Sequence, residues 1–297
     1  MPRYDLCLVW NWEYDSDFVS LMEEALVGSG MSLLQVKPET LELVLAGLES
    51  RETTFSSYFD RASDTDPRFQ PLVDWAVGHK VFCINPRQQA AWAGDKATMH
   101  LEFISRGLDT PYTIILCPYA DQPSIAPADL SQLGGSFAIK PACEGGGDGV
   151  VLKANSWEQV LTARQQFPHE KYLLQANVSP QTLNGRPAWF RVLFCDGAIY
   201  PCWWDPHTHV YSRVTAEERA RFGLRSLREL PLRIARICGL HLFSTELAVN
   251  ETGRCLAVDY VNDPLDLRLQ SKAADGAPDD YVRNIAARLV RLVEKHL

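Results

Sequence analysis

The sequence predicts an α/β protein built from a parallel-sheet lobe followed by lobes that mix helices with antiparallel hairpins (α+β). Three observations lead there. Short apolar runs alternate with helically spaced stretches from Leu6 to Ile84. Two glycine-bearing turns, around Gly197 and Gly253, each separate a pair of strand-like runs. The chain has 297 residues, more than one core usually serves, so two or three lobes of roughly 100 residues follow.

Taken in order, Leu6–Trp10 reads as a strand and Asp15–Val27 as a helix carried by Phe18, Leu21, Met22, Ala25 and Leu26. Gly28-Ser29-Gly30 ends that helix, and Met31–Val36 is a second strand. Pro38 opens a helix to Leu48, Thr53–Tyr58 is a third strand, Pro67–Val77 a helix and Lys80–Ile84 a fourth strand. Such alternation implies parallel strands with helices on both faces. The turn after the first strand, Trp10-Asn11-Trp12-Glu13, has no glycine, so the G-x-G-x-x-G dinucleotide fingerprint is missing. A second region starts near Pro86, with a helix at Lys96–Arg106 and strands at Tyr112–Cys117, Ser136–Ala142, Val150–Lys153 and Lys171–Gln175. Ser156 is placed to cap a helix running to Gln166. In the last region Ala188–Phe194 and Ala198–Trp204 flank Asp196-Gly197, a strong hairpin signal. Helices follow at Ala216–Arg221 and Ser226–Ile237, then the runs Phe243–Val249 and Arg254–Val261, and a closing helix at Asp279–Glu294.

Composition narrows the function. The formal net charge is −8 and the basic residues are scattered, which argues against nucleic-acid binding. No apolar stretch approaches the roughly 20 residues that span a bilayer, and Leu6–Trp10 is too short for a signal-peptide core. A soluble, cytoplasmic protein with no membrane partner is the expectation. None of the eight cysteines forms a C-x-x-C pair, so structural thiols are expected.

Two constellations carry chemistry. In the first, Lys140 ends an apolar run and Gly145, Gly146, Gly147 and Gly149 crowd the turn that follows. Glycine lets backbone N–H groups approach phosphate oxygens, and the lysine adds a positive charge. A plain flexible loop is the competing reading. The G-x-x-x-x-G-K-[ST] order of a P-loop is absent. In the second, a symmetric turn pairing Glu251 with Arg254 and Asn250 with Cys255 sets Glu246 opposite Asp259. Their Cβ atoms would lie roughly 5 Å apart, a separation at which two carboxylates need a cation or a shared proton. A hard divalent cation suits them, magnesium above all, with Asn262 able to add a carbonyl oxygen. One carboxylate exposed at a sheet edge is the alternative.

Together these features resemble the ATP-grasp superfamily, which includes D-alanine–D-alanine ligase, glutathione synthetase and biotin carboxylase. The resemblance runs from about Asn85 onward, and the first lobe resembles the Rossmann-like domain that precedes the ATP-grasp lobes. It implies a pre-ATP-grasp domain at 1–90, a small lobe with the glycine-rich loop at 91–176 and a magnesium-bearing lobe at 177–297. It implies that ATP and Mg2+ are bound: Lys96 and Lys140 on the phosphates, the loop from Glu144 to Gly149 closing over them, and the backbone of Gln175, Ala176, Asn177 and Val178 on the adenine edge. Arg191 then meets the transferring phosphate, and Glu246, Asp259 and Asn262 hold magnesium. Two departures stand out. The usual E-x-N ligand spacing here has one extra residue, so Asn262 needs a bulge to share a face with Asp259, and Asp263 is a possible substitute. Gln175 stands where the family often has glutamate.

The activity so implied is ligation. A small-molecule carboxylate attacks the γ-phosphate to give an acylphosphate and ADP, and an amine or thiol then displaces phosphate. Arg268 is read as a carboxylate or acylphosphate binder, against a structural pair with Asp266. Many relatives pair as homodimers. The rivals are an ATP-grasp small-molecule kinase, for which the first lobe lacks a dense basic cluster, and a nucleotide-binding module without turnover. Among weaker features, His207-Thr208-His209 lacks a further metal ligand nearby. Trp203 and Trp204 either line a pocket or fill the core. Trp12, Glu13 and Asp15, with Asp60-Arg61, lie toward the strand ends where ligands bind such sheets.

Overall fold

The structure is a computed structural model that describes residues 3–297. Its first sheet comprises β1 (Arg3–Trp10), β2 (Leu33–Val36), β3 (Thr54–Arg61) and β4 (Phe82–Ile84), all parallel in the order β2-β1-β3-β4. Alternate residues of β1 enter different cores. Leu6, Leu8 and Trp10 pack with helix α1 (Ser16–Gly28), while Cys7 and Val9 pack with α2 (Leu41–Glu49) and α3 (Gln70–Gly78). A strand covered on both faces reads as an unbroken apolar run, as this one does. Helix α2 begins at Leu41, three residues later than Pro38 suggested, because Thr40 Oγ1 accepts from Lys37 N and holds the intervening residues in a turn.

The next two helices are α4 (Arg87–Gly94) and α5 (Lys96–Ser105), and Asp95 caps α5 through Ala97 N and Thr98 N. Helix α4 carries no apolar periodicity that the sequence could advertise. It forms where Ala90 and Ala93 meet the C-terminal core. An antiparallel sheet of β5 (Thr113–Leu116), β6 (Phe137–Pro141), β7 (Val151–Ala154) and β8 (Tyr172–Ala176) has the order β5-β8-β6-β7. Helix α6 (Trp157–Gln166) packs on it, started by a Ser156–Gln159 capping box.

After a small hairpin of β9 (Thr182–Leu183) and β10 (Arg186–Pro187), the chain builds a five-stranded antiparallel sheet. It comprises β11 (Trp189–Cys195), β12 (Ala198–Trp204), β13 (Tyr211–Arg213), β14 (Leu242–Val249) and β15 (Cys255–Asn262), ordered β13-β12-β11-β14-β15. Between β13 and β14 run α7 (Ala216–Arg221) and α8 (Ser226–Cys238). The closing helix α9 (Asp279–Glu294) packs on α1 in a core shared with the large sheet. All eight cysteines are free thiols. Among the described residues no helix is long and apolar enough to cross a membrane.

Two polar clamps join the first sheet to the chain beyond β15. Arg61, at the end of β3, donates from Nε to Asp15 Oδ2 at 2.8 Å and from Nη2 to Asp15 Oδ1 at 2.6 Å and Leu265 O at 3.0 Å. Asp15 is 1% and Arg61 5% exposed, so the pair is core structure. Asn85, just past β4, accepts from His241 N at 2.8 Å and Leu242 N at 3.1 Å and donates to Asp263 Oδ1 at 2.7 Å.

The clamp and the glycine turn give two expectations. Asp15→Ala strands the Arg61 guanidinium in the core and should cost about 3–5 kcal/mol, read as a lowered urea-unfolding midpoint. Gly149 has φ +66°, and a Cβ there would lie 2.5 Å from Phe167 Cε2, whereas nothing lies within 4 Å of a Cβ at Gly145. Gly149→Ala should therefore lose about 1–3 kcal/mol and Gly145→Ala less than about 0.5 kcal/mol in the same assay.

Candidate active site

The centre of the site is a row across the large sheet. Ladder pairing sets Arg191 on β11 opposite Glu246 on β14, and Glu246 opposite Asp259 on β15. The Glu246–Asp259 pairing is the one anticipated, but the symmetric turn is not. Val249 pairs with Cys255 and Asn250 N donates to Arg254 O at 2.9 Å, so the register at the turn is one residue off. An irregularity between Glu246 and Leu247 inserts one residue into β15 and restores the acidic pair. A second, between Ser244 and Glu246, inserts another, so that Asn262 pairs with Ser244, to whose carbonyl its Nδ2 donates at 3.4 Å, and its amide helps hold the Asp259 carboxyl down.

Burial pushes the Glu246 carboxyl above the usual range, opposed by Arg191 and reinforced by Asp259. Burial acts the same way on Asp259, but Lys96, Lys140 and Arg191 together overcome it and hold that carboxyl below the usual range. Glu246 is anchored on both oxygens: Oε2 accepts from Trp189 Nε1 at 3.2 Å, and Oε1 lies 3.5 Å from Arg191 Nη1. Among the described residues no three His, Cys, Asp or Glu side chains gather to hold a metal. What the site offers is two carboxylates and the Asn262 amide, an all-oxygen donor set that suits a hard cation.

Three cations surround the pair. Arg191 donates from Nε to Ser244 Oγ at 3.1 Å, and its guanidinium lies 4.9 Å from the Trp204 ring. Lys140, on β6, donates to Gln175 Oε1 at 2.7 Å and Val258 O at 3.4 Å. Burial lowers its pKa, resisted by Asp259 and Glu246. Lys96 opens α5, and its Nζ donates to Glu144 O at 2.6 Å, which ties that helix to the root of the glycine turn. Three positive groups against two negative ones leave the place electropositive within an acidic protein.

In the glycine turn, Asp148 N donates to Gly145 O and Val150 N to Gly147 O. Among the described residues the amides of Gly145, Gly146, Gly147 and Gly149 donate to no protein acceptor, an arrangement open to an anion. The segment from Gln175 to Val178 is more committed. The Gln175 side chain is buried against Lys140 and Tyr260, and Ala176 N donates to Tyr112 O at 2.9 Å. The amides of Asn177 and Val178 are the ones without a protein acceptor.

Arg268 lies at the edge of this group, bound to Asp266 at 2.7 Å and Asp275 at 2.9 Å, with its guanidinium 5.4 Å from the Trp12 ring. The Asp266 charge also acts on Arg191, which puts the two arginines in one neighbourhood. Trp203 and Trp204 divide the two roles considered for them. Trp203 packs on Phe190 in the core behind the sheet, and Trp204 faces Arg191. His209 stacks on Trp204, and His207 lies in an exposed loop shaped by Asp205. Sequence reasoning missed Trp189, Ser244, His100 and Tyr260. Trp189 had a signal, since it lies two residues from Arg191 and hence on the same strand face.

No protein-family model and no curated protein matches the chain by sequence. Solved structures match it throughout. The D-alanine–D-alanine ligase from Bacillus anthracis, complexed with ATP, aligns at TM-score 0.67 and 10% identity over 100% of this chain and 97% of that one. D-cycloserine synthetase DcsG aligns at TM-score 0.63 and 17% identity over 97% and 99%. The ATP-grasp ligase PsnB, complexed with a minimal precursor, Mg and ADP, aligns at TM-score 0.59 and 11% identity over 98% of each chain. A parallel sheet, a glycine-turned antiparallel sheet and a larger sheet bearing the acidic row thus follow one another along the chain in the ATP-grasp fold.

Proposed function

We propose that the chain is an ATP- and magnesium-dependent ligase that activates a small-molecule carboxylate as an acylphosphate for attack by an amine or a thiol. The observation that carries this reading is the meeting of Lys96, Lys140 and Arg191, from three separate elements, around Glu246 and Asp259. The relatives' complexes with ATP and with Mg and ADP lend it support. In this reading residues 1–90 form the pre-ATP-grasp domain, 91–176 the small lobe and 177–297 the metal-bearing lobe.

Magnesium fits the donor set. Glu246 and Asp259 are paired, half-buried carboxylates; loss of water first, and the Asp259 charge second, raise Glu246, and a divalent cation would offset both. When bound, the ion would supply neutralisation of the phosphate oxygens. Lys96, Lys140 and the open glycine amides hold the triphosphate. Asn177 and Val178 offer their amides to the adenine edge. Arg191 stabilises charge on the γ-phosphoryl group as the substrate carboxylate attacks it and ADP departs. Arg268 is held by Asp266 and Asp275 through Nε and Nη2. Its Nη1 has no partner among the described residues and is left for the substrate carboxylate. An amine or thiol then attacks the acyl carbon, and phosphate leaves.

ADP release, screened over amino acids and other carboxylates with magnesium, should identify substrates, and hydroxylamine should trap the acylphosphate as a hydroxamate. A stable phosphorylated alcohol in its place would identify a kinase instead. Lys140→Ala and Glu246→Ala should each lower turnover by about 100- to 1000-fold or more with unchanged circular dichroism. Wild-type turnover in either variant would remove the site assignment.

A further inference from the structure

One hydroxyl group joins elements that carry the charged groups of the site. Tyr260 follows Asp259 on β15 and is 1% exposed. Its Oη lies 2.6 Å from Nδ1 of His100, which sits on α5 one helical turn beyond Lys96. It lies 3.1 Å from Nε2 of Gln175 on β8. Gln175 Oε1 lies 2.7 Å from Lys140 Nζ on β6. His100 and Gln175 are buried as well.

Donor and acceptor chemistry fixes the direction of the bonds from Lys140 to Tyr260, and the His100 tautomer sets the last one. An ammonium group only donates, so the atom of Gln175 facing Lys140 has to be the carbonyl oxygen. That turns the amide NH2 toward Tyr260, whose oxygen has to accept. The hydroxyl proton then goes to its nearest acceptor, His100 Nδ1, which requires a neutral imidazole protonated on Nε2. Burial lowers the His100 pKa and favours that neutral form. Turning the Gln175 amide over would set its NH2 against the Lys140 ammonium and leave both donors unpaired. The chain also accounts for glutamine at position 175. A carboxylate there would accept from both Lys140 and Tyr260, and His100 would have to become the donor.

We propose that His100 and Tyr260 are positioning residues for the nucleotide, acting through Gln175 in a one-directional hydrogen-bond chain that holds Lys140 in place beside the acidic pair. The proposal rests on the ATP reading above. The test is calorimetric titration with magnesium and the non-hydrolysable analogue AMP-PNP. Tyr260→Phe should weaken binding about tenfold, roughly what one buried hydrogen bond is worth. His100→Asn keeps an acceptor near the Nδ1 position and should bind within about twofold of wild type. His100→Leu keeps similar bulk without the acceptor and should bind about tenfold more weakly, even where its melting temperature equals or exceeds that of the Asn variant. A packing role predicts the opposite ranking, so equal binding by the Asn and Leu variants would overturn the proposal. Nitrogen-15 NMR of His100 gives a readout independent of nucleotide: an unprotonated Nδ1 supports the chain, and a protonated one excludes it. If wild type does not bind AMP-PNP, the ATP reading falls and takes this proposal with it. If wild type binds and the His100 variants do not differ, this proposal falls alone.

Discussion

Glu246 and Asp259 face each other across β14 and β15 in a half-buried setting, and two carboxylates persist there only while positive charge is close or one of them keeps a proton. Much of the surrounding structure answers that constraint. Arg191 comes from the next strand, Lys140 from the small antiparallel sheet and Lys96 from the start of α5. The split in acidity follows. Burial acts on both carboxyls; Asp259 feels all three cations and is held below the usual range, while Glu246 feels Arg191 and Lys140 and stays above it.

Bringing charges from three elements together demands that their backbones be fixed, and buried polar contacts meet that demand. The Asp15–Arg61 pair reaches the Leu265 carbonyl, and Asn85 binds both ends of the β14–β15 hairpin through Leu242 and Asp263. These contacts are directional where apolar packing is not, so they set registry between the first sheet and the segment beyond β15. The Tyr260 chain does the same between β15, β8 and α5.

Much of the architecture was legible along the chain. Periodicity and turn residues located strands and helices to within a few residues, including α9 and the Asp196-Gly197 hairpin, because those signals are local. Helix α4 was not legible, since its polar sequence gains helical form only from the cores it meets. The acidic row was half legible. The pairing of Glu246 with Asp259 was anticipated from a symmetric turn that does not exist, and the inserted residue in β15 returns the same pairing. Bulges leave little trace in composition when no glycine or proline marks them.

By itself the sequence determined the element types, the lysine–glycine turn and the presence of two carboxylates at hairpin spacing, all of which depend on residues near one another in the chain. Only the tertiary structure decided that Arg61 serves the core, that Trp203 and Trp204 face opposite ways at the site, and that Gln175 is committed to Lys140 through its side chain. Those outcomes depend on which groups meet across long sequence separations. A buried donor or acceptor is satisfied by whichever partner the fold delivers, and pattern along the chain does not encode that partner.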